Sequence, residues 1–355
     1  MIVTVGCGLL AWCAVAFGAP RLGRRLPPGN ATALLVSAAA SVATCSLLVP
    51  GMIAFLWLAR LPTVIDIGPW SAAALRAGTP VPLVGALACA AWVVWRTGRV
   101  AAVALRRLRA VRAVRAENAA GPAEADRLLV LDVERPVAFS TPPPDGRIVV
   151  STGLWRRLSQ PERQVIIAHE TAHLRRGHTW WLLAVDLCVA ANPLLSPLAP
   201  AVAQSVERWA DEEAARQVGD RRLVARTVAR AALLTRSAGP VGAVGAGSGA
   251  VPARVAALLA PAPRPRPLLV AALAALSLAA LLAAAGVQRQ TDAIFDAAQL
   301  RRPAGAAAPA ERHGAGRQPR TRVVARPGPA ARPGPAHSPA RPGPAARPSR
   351  PSSTV

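Results

Sequence analysis

The chain reads as an α-helical multi-pass membrane protein that carries one α+β domain between its third and fourth spans and ends in a disordered tail. Three observations predict this architecture. Hydrophobic residues make up 52% of 355 positions, and the mean hydropathy is +0.32. Both exclude an ordinary soluble protein of two or three domains. Four apolar segments, residues 2–19, 31–59, 81–95 and 268–287, carry few or no charges. Each meets or approaches the ~20 helical residues that cross a ~30 Å hydrocarbon core. Between the last two lies the only soluble-domain texture. The division is therefore 1–95 for three spans, 96–266 for the domain, 267–288 for the fourth span and 289–355 for the tail.

The first apolar segment ends in small residues but has no basic stretch before it, and Arg21, Arg24 and Arg25 follow it. It reads as an uncleaved span rather than a signal peptide. Pro50 and Gly51 fall inside the second segment and predict a kink there. Arginine then sets the orientation, because cytoplasmic loops retain basic residues. Three arginines follow span one, only Arg60 and Arg76 lie in the next loop, and seven, from Arg96 to Arg115, follow span three. The N-terminus and the C-terminal tail are thus expected outside, with residues 96–266 in the cytoplasm. The seven-arginine stretch reads either as an amphipathic helix on anionic headgroups or as a plain stop-transfer flank.

The formal charge of +24 comes entirely from arginine on the basic side, with no lysine and no tyrosine in the chain. Such a skew looks like GC-rich coding bias and is weak functional information. Aromatic residues at 4% and a basic tail placed outside argue against a nucleic-acid partner. Cys7, Cys13, Cys45, Cys89 and Cys188 all sit in apolar segments without disulfide or thiolate spacing, so they read as small buried hydrophobes.

The domain opens with strand-like runs at residues 128–133, 136–140 and 147–151, the last two joined by a Pro142-to-Gly146 turn that predicts a hairpin. Ser159-Gln160-Pro161-Glu162 then has the form of a capping box with proline in the first turn, and starts a helix through Val165, Ile166, Ile167 and Ala168. On that helix lies His169-Glu170-Thr171-Ala172-His173. Residues four apart on a helix stack one turn above each other, so both imidazoles reach one metal while Glu170 points about 100° aside. This is the H-E-x-x-H arrangement, with zinc held by the two histidines and the glutamate as general base.

A catalytic zinc needs three protein ligands and an open position. The candidates for the third are His178, Asp186, Glu207, Asp211, Glu212 and Glu213. Laid on a 3.6-residue helix, residues 201–218 place Ala203, Val206, Glu207, Ala210, Asp211, Ala214 and Val218 on one face, with Arg208, Glu212 and Arg216 opposite. Two carboxylates on an apolar stripe are expensive unless something compensates them. Glu207 is therefore the expected third ligand, and Asp211 is placed to hold a ligand imidazole through its other nitrogen. His178 follows His173 by five residues, one short of the three-histidine metzincin spacing. It is expected to end the helix or pack at the membrane surface. Residues 180–199 are long and apolar, yet a crossing there would put Glu207 on the wrong side of the membrane from His169 and His173. They are expected to be re-entrant, interfacial or a buried helical pair.

Taken in order, Gly153-Leu154 with Leu158-Ser159, the run from His169 to Arg176, Asn192-Pro193-Leu194, and Glu207-Arg208-Trp209-Ala210-Asp211 resemble the BlaR/MecR family of membrane zinc metallopeptidases. That group contains the β-lactam sensor-transducers and is more distantly similar to HtpX-like membrane proteases. The resemblance spans residues 1–287 and implies a zincin-like metallopeptidase domain in a bacterial cell membrane. It implies Zn2+ bound by His169, His173 and Glu207, with Glu170 as general base and acid and Asp211 in support. It further implies an endopeptidase acting on a protein or peptide, in regulatory cleavage of a repressor or membrane-associated protein. The alternative is a non-catalytic signalling or scaffold protein that keeps the fold. The sensors carry a penicillin-binding domain whose Ser-x-x-Lys motif needs lysine, and this chain has none. Its last residues repeat Arg-Pro-Gly-Pro and carry eleven arginines against one acid from residue 301 on. So little large apolar content cannot bury a core, and the tail is expected as a basic spacer offering contact to anionic wall polymers or lipids.

Overall fold

A computed structural model describes residues 2–65, 70–78, 81–119, 128–142, 146–237 and 250–300, all within one compact unit. The hairpin turn at 143–145 and the tail from 301 on lie outside the described residues. The chain begins with α1 (Ile2–Cys13), a π-helical stretch (Ala14–Gly18) and α2 (Ala19–Gly23), followed by α3 (Pro28–Leu58). Short α4 (Pro62–Ile65) and α5 (Ala72–Gly78) lead to α6 (Leu83–Ala119). The domain comprises β1 (Leu128–Leu131), β2 (Ala138–Ser140), β3 (Ile148–Ser151), α7 (Thr152–Trp155), α8 (Gln160–Arg175) and α9 (His178–Ala191). After a 3-10 turn (Pro193–Leu195) come α10 (Leu198–Val218), α11 (Arg221–Ser237), α12 (Ala250–Leu259) and finally α13 (Pro267–Leu300).

Among the described residues three helices are long and apolar enough to cross a membrane: Pro28–Leu58, Leu83–Ala113 and Pro267–Gln299. The segment expected as the first span is a shorter apolar helix, Gly8–Gly23, whose apolar length closes at Arg21. Pro50 lies inside α3 without ending it. Two boundaries move. Helix α6 runs unbroken through the arginine stretch, since no proline interrupts residues 83–119, so those arginines continue the span helix rather than form a separate one. Helix α13 runs on to Leu300, so residues 289–300, expected in the tail, continue the helix instead. That segment lacks Gly and Pro, and Phe295 on it packs against Phe55 and Trp70 at ring-centroid distances of 5.8 and 5.2 Å.

Helix α3 is the centre of the fold. Leu35, Ala38, Ala39 and Val42 share one buried cluster with Val185 and Cys188 of α9, Leu198, Val202 and Val206 of α10, and Leu273 and Ala280 of α13. Residues 180–199 comprise most of α9, the 3-10 turn and the first two residues of α10, and the buried residues of α9 and α10 pack on α3. Arg96 serves the far end of α9: its Nε and Nη2 donate to the carbonyls of Ala191 and Val189, both at 3.1 Å. These are end carbonyls with no partner within the helix. At the other end, Ser205 of α10 donates to the Pro28 carbonyl at 2.8 Å and meets Thr32 Oγ1 at 2.8 Å. Trp209 lies against Gly29, where a Cβ would come within 3.1 Å of its ring.

A three-stranded sheet of order β1-β3-β2 covers the remaining side of α8. Strands β1 and β3 are parallel and β2 and β3 antiparallel, the latter as the hairpin expectation requires. Residues 148–151 of β3 are all buried, so the central strand is apolar rather than alternating. The strand passes directly into α7 through Ser151, whose Oγ accepts from Leu154 N at 3.2 Å. The next turn has room only for glycine. Gly153 N donates to the Val133 carbonyl at 3.0 Å, and a Cβ at Gly153 would fall 1.8 Å from the Glu134 carbonyl oxygen. Gly153→Ala must displace backbone, and is expected to cost about 1–3 kcal/mol or more. Thermal unfolding in detergent checks this; an unchanged melting temperature would contradict the close approach.

Candidate metal centre

Helix α8 begins at the capping box. Ser159 N donates to Glu162 Oε2 at 2.8 Å, and Arg230 of α11 donates to both Glu162 oxygens at 3.0 and 2.9 Å. Burial alone would raise the Glu162 carboxyl, but the Ser159 and Arg230 bonds outweigh it and hold it below its ordinary range. Ile166 faces Ile148 and Val150 of the sheet. Val165 and Ala168 meet Val224 and Val228 of α11 and Leu258 of α12. The flank left over carries His169, Glu170 and His173 toward α10. Gly177, in the left-handed region at φ 61°, then reverses the chain, and α9 starts at once with His178.

Four side chains named from the sequence meet here. His169 Nε2 and His173 Nε2 are 3.1 Å apart. Glu207 Oε2 lies 3.6 Å from the first and Oε1 3.7 Å from the second. Donors about 2.0–2.1 Å from a tetrahedral zinc stand roughly 3.3 Å from one another, so the imidazole pair is already at ligand spacing, while Glu207, which turns a different oxygen to each ring, would have to bring one oxygen closer to both. Two imidazole nitrogens and one carboxylate oxygen, all within 4.8 Å, form a donor set that fits zinc. Asp211 Oδ1 sits 3.1 Å from His169 Nδ1, near enough for charge pairing although off the line of a hydrogen bond.

The electrostatics separate the groups. Burial lowers the His169 pKa, but Asp211 and Glu207 outweigh it and push the ring up to about 10. His173 goes the other way, down to about 3, through burial and the neighbouring His169 charge. One proton is thus held at His169, and a metal entering the site must displace it, which makes affinity fall as pH falls. Burial and the nearby Glu207 carboxylate raise the Glu170 carboxyl above its ordinary value, against His169, a hydrogen bond from Ser140 of β2, and Arg254. A carboxylate shifted upward is a better proton acceptor near neutral pH.

The other ligand candidates find different partners. Asp186 pairs with Arg107, Glu212 with Arg221, and Glu213 with Arg176 and Arg216. His178 neither ends α8 nor reaches the surface. It is 1% exposed and lies beside His173, because the left-handed Gly177 folds it back onto the helix it follows. Burial and the neighbouring charges hold its pKa down, at about 4.

Sequence reasoning missed Arg254. From α12 its Nε and Nη2 donate to Asp211 Oδ2 and Oδ1, both at 2.7 Å, and its Nη1 lies 2.9 Å from Glu207 Oε2. The signal was present. Val251, Arg254, Val255 and Leu258 share one helical face, and Arg254 is the only charge in a segment of Ala, Val, Pro and Leu. The stripe argument that selected Glu207 applies equally to it.

The histidine pair and the Glu207 carboxylate thus occupy two helices inside one continuous stretch of chain. Residues 105–210 match the model of Peptidase family M48. The matched segment contains His169, Glu170, His173 and Glu207, and the match supports a metallopeptidase hydrolase and accords with zinc dependence. It ends one residue before Asp211, and α12 with Arg254 lies beyond it. No curated protein and no solved structure was found to match the chain.

Proposed function

We propose that the chain is a membrane-embedded, zinc-dependent endopeptidase. The observation that carries this reading is the His169–His173–Glu207 donor set, one atom from each within 4.8 Å of the others, with Glu170 buried beside it. His169, His173 and Glu207 would hold the metal, which when bound supplies Lewis acidity to a peptide carbonyl and makes water a competent nucleophile at neutral pH. Glu170 takes the proton from the attacking water and returns it to the leaving amine. Asp211 and Arg254 keep His169 and Glu207 turned toward each other. Strand β2 is a sheet edge, and its Ser140 reaches Glu170, so an extended substrate pairing with that edge would lie across the general base.

The active site belongs on the cytoplasmic side in this reading, with the N-terminus and tail outside. Two features support it. Arg208 of α10 donates to the Arg24 carbonyl at 3.2 Å, so the arginine-rich first loop and the site helix share one end of α3. The arginine-poor loop lies at the other end, where Trp70 bonds the Ala59 carbonyl. The resemblance to BlaR/MecR proteins supports regulatory cleavage of a repressor or a membrane-associated protein.

Zinc content and cleavage of an unfolded model protein, measured on the full chain in detergent, test the reading. Wild type is expected to carry about one zinc and to cut. Glu207→Ala should lose the metal on gel filtration and the activity with it. A wild type that takes up no zinc would leave a non-catalytic scaffold instead.

A further inference from the structure

His178 has no part in the chemistry just described, yet it is a fully buried histidine in contact with a proposed ligand. The two rings lie edge to face, with centroids 4.7 Å apart and planes at 85°. Their Nδ1 atoms are 2.8 Å apart. At that distance one nitrogen must carry the proton and the other the lone pair. His173 turns its Nε2 toward His169 and Glu207, so a ligating His173 must carry its proton on Nδ1. His178 Nδ1 is then the acceptor.

We infer that His178 is a positioning residue for the metal centre, accepting from His173 Nδ1 and so fixing both the tautomer and the angle of that ring. The inference rests on the zinc reading given above. Packing alone does not account for a histidine at this position. Its Nε2 is buried without a hydrogen-bond partner, a loss of about 1–3 kcal/mol that an apolar side chain would avoid. The Nδ1 contact is the gain that offsets it. The ring is also held from behind. It packs on Trp209 of α10 at a centroid distance of 5.1 Å, and Trp209 in turn rests on Gly29 at the start of α3. His173 therefore gains through His178 the support that His169 receives from Asp211, and the support reaches back to the central helix. Outer partners of this kind set ligand orientation and basicity.

Two substitutions in the full-length protein separate the roles. His178→Leu keeps apolar volume and removes the acceptor. His178→Asn offers an amide oxygen where Nδ1 stands. Zinc affinity is read by chelator competition, and ligand geometry by the visible absorption of the cobalt-substituted protein. His178→Leu is expected to bind zinc about 10–100-fold more weakly and to shift the cobalt bands, with no fall in melting temperature. His178→Asn should recover most of the affinity. Wild-type affinity in His178→Leu would overturn the inference, as would equal losses in both variants that track equal losses in melting temperature. Should the leucine variant fail to fold, His178→Phe, planar and apolar, carries the same comparison. Failure of the underlying reading is visible separately, because wild type itself would then bind no zinc.

Discussion

Glu170→Gln should lower kcat by about 10²–10⁴-fold while zinc content stays at the wild-type level. The amide is nearly isosteric with the carboxylate and fills the same space beside Ser140, so α8 and the sheet have no reason to shift. It cannot accept a proton, and in the proposed reaction the proton leaving the attacking water has nowhere else to go. Glu170 is absent from the donor set formed by His169, His173 and Glu207, which predicts that metal is retained. Glu170 also titrates from an upward-shifted value, since burial and Glu207 both disfavour its charge. Loss of metal together with activity would reassign Glu170 as a ligand, and undiminished kcat would remove it from the chemistry.

The parts of this site that were legible in the sequence are those written by helix periodicity. His169 and His173 are one turn apart on a helix whose start is spelled by Ser159 and Glu162. Glu207 and Asp211 stand out because an apolar stripe does not otherwise tolerate two carboxylates, and the structure puts both beside the histidines. Arg254 obeys the same rule, but a guanidinium has no lone pair to give a metal, so ligand chemistry does not point to it. His178 is a different case. Its position depends on the left-handed turn at Gly177, a backbone choice that reverses the chain by one residue, and no spacing rule for helical ligands describes a residue beyond a helix end. The extent of α6 and α13 was underestimated for a related reason. Hydropathy marks where the apolar surface stops, whereas the helix stops only where Pro, Gly or a cap ends it.

Arg254→Met should destabilise the folded chain by about 3–5 kcal/mol, the cost of leaving a buried charge without its partner. The guanidinium is 14% exposed and makes a two-pronged contact with Asp211, which is 2% exposed, so solvent cannot replace what is lost. Methionine keeps much of the volume of the removed stem, and the effect is therefore electrostatic rather than a cavity. Burial by itself would raise the Asp211 carboxyl; Arg254 and His169 outweigh that and hold it below its ordinary range. A depressed carboxylate contributes stability that is present above its unfolded value, about pH 3.9, and is lost as pH falls through the lower folded value. In the variant Asp211 loses most of that support and neutralises more readily. The gap between wild type and variant should accordingly be widest at neutral pH and narrow toward acid, as urea unfolding at several pH values would reveal. A double variant, Arg254→Met with Asp211→Leu, removes both charges and should regain much of the lost stability, since a buried pair replaced by apolar groups is often neutral. Its zinc affinity should nevertheless fall below the wild-type value, because His169 then has nothing at Nδ1. A double variant no more stable than the single one would mean that the pair contributes through packing. Wild-type zinc affinity in the double variant would mean that Asp211 does not orient His169.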